Sequence, residues 1–126
     1  MKIKNILLID DNDVDTYINK YVLKQVDIAE SIVAKSSAID ALEYLKGLRE
    51  DFPEIIFLDI RMPEMDGFGF LEKYSEFPET KKEHCRIIML TSSNDAEDMK
   101  RAASNPYVKK YLNKPLSSEM LAGIIE

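Results

Sequence analysis

Glu54-Ile55-Ile56-Phe57-Leu58-Asp59 is an apolar run of strand length, preceded by Pro53 and closed by a carboxylate. A run of this kind, with no polar alternation, suits a strand buried on both faces of a parallel sheet. Three other runs share its form. Ile6-Leu7-Leu8-Ile9 leads into Asp10 and Asp11, Ile87-Ile88-Met89-Leu90 into Thr91, and Tyr107-Val108 to Tyr111-Leu112 toward Lys114. In an open parallel sheet, ligands bind in the crevice beyond the carboxyl ends of the strands. Four such ends are therefore expected to gather three carboxylates, one hydroxyl and one ammonium in a single pocket.

The segments between these runs have helical spacing. Val14, Tyr17, Ile18, Tyr21, Val22 and Val26 repeat at helical intervals after Asn12 or Asp13, either of which can cap. Residues 30–34 form a short second strand, and Ser36 or Ser37 then caps a helix with Ala38, Ile39, Ala41, Leu42, Leu45 and Leu48 on one face. Asp66-Gly67 marks a turn before a short helix carrying Phe68, Leu71 and Tyr74, and residues 76–83 read as a polar connection. Asn94 or Asp95 caps a fourth helix to about Ala103, Asn105-Pro106 breaks it, and Ser117 caps the last. Five strands alternating with five helices predict parallel βαβ units with helices on both faces of one sheet. Residues 1–126 read as a single α/β domain, without repeat or linker.

Composition narrows the function. Among 126 residues, 45% are hydrophobic and 32% charged, as in a globular chain able to bury its own core. A formal charge of −6 opposes nucleic acid and anionic membrane, so no direct nucleic-acid or membrane role is expected. Cys85 is the only cysteine and His84 the only histidine, which excludes an internal disulfide and a closed zinc site. No signal peptide opens the chain, and no apolar stretch nears the ~20 residues that span a bilayer, so the expected location is cytoplasmic.

Asp10, Asp11 and Asp59 together would crowd negative charge. Mg²⁺ resolves such crowding, because it takes oxygens from carboxylates, waters and a phosphate. A carboxylate held beside it is positioned for in-line attack on phosphorus, giving an acyl phosphate. Lys114 would offer a point charge to the phosphoryl oxygens and Thr91 a hydroxyl hydrogen bond.

The stretch Phe57-Leu58-Asp59-Ile60-Arg61-Met62-Pro63-Glu64-Met65-Asp66-Gly67 resembles the phosphoacceptor motif of receiver domains of two-component response regulators. Leu7-Leu8-Ile9-Asp10-Asp11 resembles their acidic pair, Met89-Leu90-Thr91-Ser92 their hydroxyl strand end, and Tyr111-Leu112-Asn113-Lys114-Pro115 their aromatic, lysine and proline. The resemblance covers essentially the whole chain. It implies a flavodoxin-like (CheY-like) doubly wound sheet of order 2-1-3-4-5. It also implies that Asp59 accepts a phosphoryl group from a phosphohistidine of a sensor histidine kinase or histidine phosphotransfer protein. Asp11, Asp59 and the main-chain carbonyl of Arg61 would ligate Mg²⁺, with Asp10 acting through water.

By the same resemblance Lys114 pairs with Asp59 and later with the phosphate, Lys114-Pro115 is cis, and Thr91 couples to a rotating Tyr111. The face formed by the fourth helix, fifth strand and fifth helix would then meet a downstream target, with a phosphorylation-dependent homodimer left open. Such a domain is a phosphoacceptor that hydrolyses its own acyl phosphate, not a turnover enzyme. Kinase specificity is expected on exposed positions of the first helix, such as Thr16, Asn19 and Lys20, and in the turn after Lys114. Arg61 stands where a long cation could shield or pair with the acyl phosphate, and Ser92 and Ser93 depart from the commonest pattern.

Other readings of Asp11-Asn12-Asp13-Val14-Asp15 are weaker. A calcium loop fails because Thr16 replaces the turn glycine and Val22 the final acid. The segment also resembles the nucleophile motif of haloacid-dehalogenase-type phosphohydrolases, with Asp11 as nucleophile, but that leaves the motif from Asp59 to Gly67 without a role. A flavin or nucleotide site would need a phosphate loop where the acids stand. An unphosphorylated adaptor would not need the full chemical set.

Overall fold

The computed structural model describes residues 2–125. Its sheet is parallel, with strands β1 (Ile3–Ile9), β2 (Ala29–Lys35), β3 (Ile55–Leu58), β4 (Arg86–Thr91) and β5 (Val108–Asn113). The strand order is β2-β1-β3-β4-β5, as expected. Helices α1 (Asp13–Val26), α2 (Ala38–Gly47), α3 (Gly67–Tyr74), α5 (Ala96–Ser104) and α6 (Ser118–Ile125) match the five read from the sequence. One further turn of helix, α4 (Glu79–Lys82), occupies the predicted polar connection.

The absence of alternation in the strands has a direct structural cause. Leu7, Ile9, Ile56, Leu58, Ile87 and Met89 point to one face, under Ala41, Leu45, Phe70, Leu71, Tyr74 and Ala102 of α2, α3 and α5. Their neighbours Ile6, Leu8, Ile55, Phe57, Ile88 and Leu90 point to the other, under Leu23 of α1 and Leu121 and Ile124 of α6. With both faces covered, each central strand residue has an apolar environment whichever way it points. At the edges, β2 exposes Glu30 and Ser31 and β5 exposes Lys109 and Lys110; β5 is also irregular. Its register against β4 skips Lys109, and charge and irregularity at an edge discourage pairing with another sheet.

The caps resolve the pairs that the sequence left open. Asn12, Ser37, Asp66 and Asp95 accept hydrogen bonds from the first-turn N–H groups of α1, α2, α3 and α5. The Ser117 hydroxyl accepts from Met120 N–H at 3.2 Å at the start of α6.

The structure settles which way α1 faces and corrects two expectations. Of its apolar stripe, Val14, Tyr17, Ile18 and Tyr21 are exposed, whereas Val22 and Val26 are half-buried against the core beside the buried Leu23 and Asn19. Helical periodicity finds a stripe but cannot say which way it points. Asn19 is therefore no surface position; its side-chain carbonyl accepts Leu116 N–H at 3.3 Å. Finally, residues 79–82 are polar yet folded, because the Lys82 ammonium is buried and satisfied. It donates to the Ser75 carbonyl at 2.8 Å and the Tyr107 hydroxyl at 3.0 Å, and pairs with Glu79 at 3.1 Å.

Candidate functional site

Strands β1 and β3 are neighbours, with Ile9 opposite Leu58. After them the chain departs to opposite faces, into α1 on one side and α3 on the other. A crevice opens where the two connections diverge. Asp10 and Asp11 emerge on one side of it and Asp59 on the other, and their carboxylate oxygens lie within 4.8 Å of one another. Asp59 is fixed by its N–H donating to the Ile9 carbonyl at 3.0 Å. Asp10 and Asp59 are buried, and Asp11 is exposed to solvent.

Each buried carboxylate uses one oxygen to hold its own loop. Asp59 Oδ1 accepts Ile60 N–H at 2.8 Å, and Asp10 Oδ1 accepts Asn12 N–H at 2.9 Å. The remaining oxygens meet Lys114, whose Nζ lies 2.7 Å from Asp10 Oδ2 and 3.2 Å from Asp59 Oδ2. Lys114 is aimed there from two directions. Its N–H donates to the Thr91 carbonyl at 2.9 Å, and beyond the cis Lys114–Pro115 bond the chain is tied to α1 through Leu116 and Asn19.

A further carboxylate belongs to the site. Asp15 Oδ2 accepts from Lys114 Nζ at 2.8 Å, as close as Asp10. The sequence offered Asp15 only as an acid of the calcium loop that fails, and an acid in the first turn of a helix complements the helix dipole without any further role. Its proximity to a lysine 99 residues away is a product of the fold alone.

Burial raises the Asp10 carboxyl above its ordinary range, against the Lys114 and Asn12 hydrogen bonds, and the neighbouring Asp59 charge adds to the rise. Burial also works against the Lys114 ammonium. Its carboxylate partners Asp10, Asp15 and Asp59 outweigh that and hold its pKa above the ordinary lysine value. An excess of hard oxygen donors around one cation-sized gap fits a hard divalent ion such as Mg²⁺.

The other wall is the loop after β4. Thr91 is fully buried, and its Oγ1 accepts Ser93 N–H at 3.2 Å. The Ser93 carbonyl accepts from the Tyr111 hydroxyl at 3.0 Å and the Asn113 amide at 3.1 Å. Thr91 and Tyr111 are thus joined through one residue. Gly67 opens α3 directly against the loop that follows β3: its N–H donates to the Ile60 carbonyl at 2.8 Å, and a Cβ there would lie 2.5 Å from the Asp59 carbonyl oxygen. Between them the chain turns tightly at Glu64, which has φ 69.

Comparison with known proteins agrees with this geometry. The family model described as response regulator receiver domain matches residues 6–126. The chain is 31% identical to the probable methanogenesis regulatory protein FilR2 of Methanothrix harundinacea, over 96% of this chain and 78% of that one. It is 30% identical to part of the sensor histidine kinase CheAY of Helicobacter pylori, covering 96% of this chain but 14% of the larger protein. Among solved structures, a two component response regulator from Cytophaga hutchinsonii superposes with a TM-score of 0.87 at 28% identity, covering 99% of this chain and 96% of that one. The Mn(2+)-bound form of response regulator Rcp1 superposes with a TM-score of 0.76 at 25% identity, covering 97% and 88%. With its acidic pocket at the end of β1 and β3 and a family match along nearly its whole length, the chain belongs to the response regulator receiver domains of two-component signalling.

Proposed function

We propose that Asp59 accepts a phosphoryl group from a phosphohistidine, and that the acyl phosphate so formed changes which partner the domain binds. The observation that carries this reading is the placement of Asp59: buried, within 4.8 Å of Asp10 and Asp11, and joined to Lys114. In the transfer, the N–P bond of the donor breaks and a bond forms from an Asp59 carboxylate oxygen to phosphorus, with imidazole leaving. Reset is attack of water on phosphorus, which releases phosphate and restores the carboxylate.

Mg²⁺, when bound, would neutralise charge on the transferring oxygens. Asp11, Asp59 and the Arg61 carbonyl would hold it directly and Asp10 through water. Lys114 exchanges its carboxylate contacts for a phosphoryl oxygen, and Thr91 turns its hydroxyl from Ser93 N–H toward the phosphoryl group. Releasing Ser93 loosens the acceptor of the Tyr111 hydroxyl, which links phosphorylation to the face built from α5, β5 and α6. The phosphoryl group drives this shift only because it makes these contacts in one state and not the other.

Receiver domains partner with histidine kinases. Here the exposed Val14, Tyr17, Ile18 and Tyr21 give α1 an apolar surface beside the pocket, suited to a helical donor. No helix among the described residues is long and apolar enough to cross a membrane.

Intact mass after incubation with acetyl phosphate, with and without Mg²⁺, followed by peptide mapping, tests the reading. A Mg²⁺-dependent adduct on Asp59, lost in Asp59→Asn, is the expected result. An adduct on Asp11 would transfer the chemistry to the phosphohydrolase alternative, and undiminished labelling of Asp59→Asn would refute the acceptor.

A further inference from the structure

Asp98 is an acid in α5, outside the acceptor cluster, and only 4% exposed. A buried carboxylate persists only with partners, and both of its side-chain partners come from loops that line the pocket. Asp98 Oδ2 accepts from the Arg61 guanidinium at 2.5 Å and from the Ser93 hydroxyl at 2.9 Å. Arg61 follows Asp59 by two residues, and its side chain is 61% exposed, so one end is held while most of it remains free to move. The acid that caps the same helix, Asp95, lies 3.8 Å from the guanidinium. Ser93, the other partner, is the residue that joins Thr91 to Tyr111.

We propose that Asp98 is a positioning residue that competes with the phosphoryl group on Asp59 for Arg61. The proposal rests on the acceptor role of Asp59. Without phosphate, Asp98 draws the guanidinium toward α5, away from the pocket mouth. A phosphoryl group adds charge and acceptor oxygens that a planar guanidinium binds in bidentate fashion. Arg61 reaches them by leaving Asp98. The Asp98 carboxylate then keeps only the Ser93 hydroxyl, and the first turn of α5 and the β4–α5 loop must readjust around it. The ion pair therefore stabilises the unphosphorylated state and transmits its loss to the same loop that Thr91 and Tyr111 share. Coupling of this kind is reciprocal, so weakening the pair must strengthen binding of the phosphoryl group.

Beryllofluoride, a non-covalent mimic of the phosphoryl group, provides the test. Its affinity in the presence of Mg²⁺ is measured by calorimetry for the wild type, Asp98→Asn, Arg61→Gln and the double variant. Asp98→Asn is expected to bind about three- to tenfold more tightly, the range typical of modest site–site coupling. The gain should vanish in the Arg61→Gln background, and Asp98→Glu, which keeps the charge, should stay near the wild type. An equal gain with and without Arg61 would make Asp98 merely structural, and unchanged or weaker binding by Asp98→Asn would overturn the competition. A second readout needs only the wild type: the Arg61 side-chain N–H resonance, assigned by its loss in Arg61→Gln, should shift on adding beryllofluoride. An unmoved resonance refutes the transfer of Arg61. Wild-type protein that binds no beryllofluoride would bring down the acceptor reading and this proposal together, whereas binding without dependence on Asp98 would bring down this proposal alone.

Discussion

Replacing Gly67 by alanine sets two effects of opposite sign against each other. Gly67 is the first residue of α3, and in a helix alanine is favoured over glycine by about 1 kcal/mol. The contacts decide otherwise. The added Cβ would lie 2.5 Å from the Asp59 carbonyl oxygen, 3.0 Å from Ile60 Cα and 3.3 Å from the Asp59 carbonyl carbon, all backbone atoms. The closest approach falls roughly 0.9 Å short of the 3.4 Å at which ordinary contact begins. Ile60 is fully buried, and the Gly67 N–H to Ile60 carbonyl bond ties the helix to the loop, so neither side yields freely. Overpacking of this kind costs about 1–3 kcal/mol, enough to reverse the helix gain.

Gly47, the last residue of α2, is the internal control because its Cβ would meet nothing within 4 Å. Gly47→Ala should stabilise by about 0.5–1 kcal/mol. Urea unfolding followed by circular dichroism should therefore separate the two variants by about 1 M in midpoint, given slopes of about 1–3 kcal/mol per M. Because the crowded atom is the carbonyl of Asp59 itself, Gly67→Ala should also slow labelling of Asp59 by acetyl phosphate, which Gly47→Ala leaves unchanged. A midpoint for Gly67→Ala equal to or above that of Gly47→Ala would refute the packing argument.

Asp15→Asn removes one of the three carboxylates that share Lys114, so the ammonium presses harder on Asp10 and Asp59 and competes better with a cation. Calorimetric titration should give Mg²⁺ binding about two- to fivefold weaker, as expected for one partly screened charge, and equal or tighter binding would exclude Asp15 from the site. Burial pushes the Cys85 thiol from 9.0 up to about 11. The unfolded chain then releases this proton first, so stability should fall as pH rises from 9 to 11. That segment of the pH dependence should flatten in Cys85→Ala, and an identical slope in the variant would contradict the shift. The same burial keeps the thiol protonated near neutrality, so alkylation of the native protein at pH 8 should be slow compared with the urea-unfolded chain.

Much of this domain was written in one-dimensional patterns. Unbroken apolar runs such as Ile55–Leu58 require burial on both faces, and together with the helical spacing between them they specify a parallel sheet sandwiched by helices. Acids, a threonine and a lysine at the ends of those runs had to converge, because parallel strands bring all their carboxyl ends to one edge. Patterns of this sort depend on local period and chain order, which the sequence carries in full.

Direction and distant pairing were decided by the tertiary structure. The α1 stripe of Val14, Tyr17, Ile18 and Tyr21 has the same period whether it faces the core or water, and only docking through Leu23 and Asn19 turned it outward. Lys82 reads as a solvated charge until Ser75, Tyr107 and Glu79 surround it. Asp15 and Asp98 read as helix-terminal acids until Lys114 and Arg61 arrive from other elements. A charge takes its meaning from whatever the fold places within about 3 Å of it, where hydrogen bonds form, and residues so far apart in the chain meet only once the sheet and its helices have assembled.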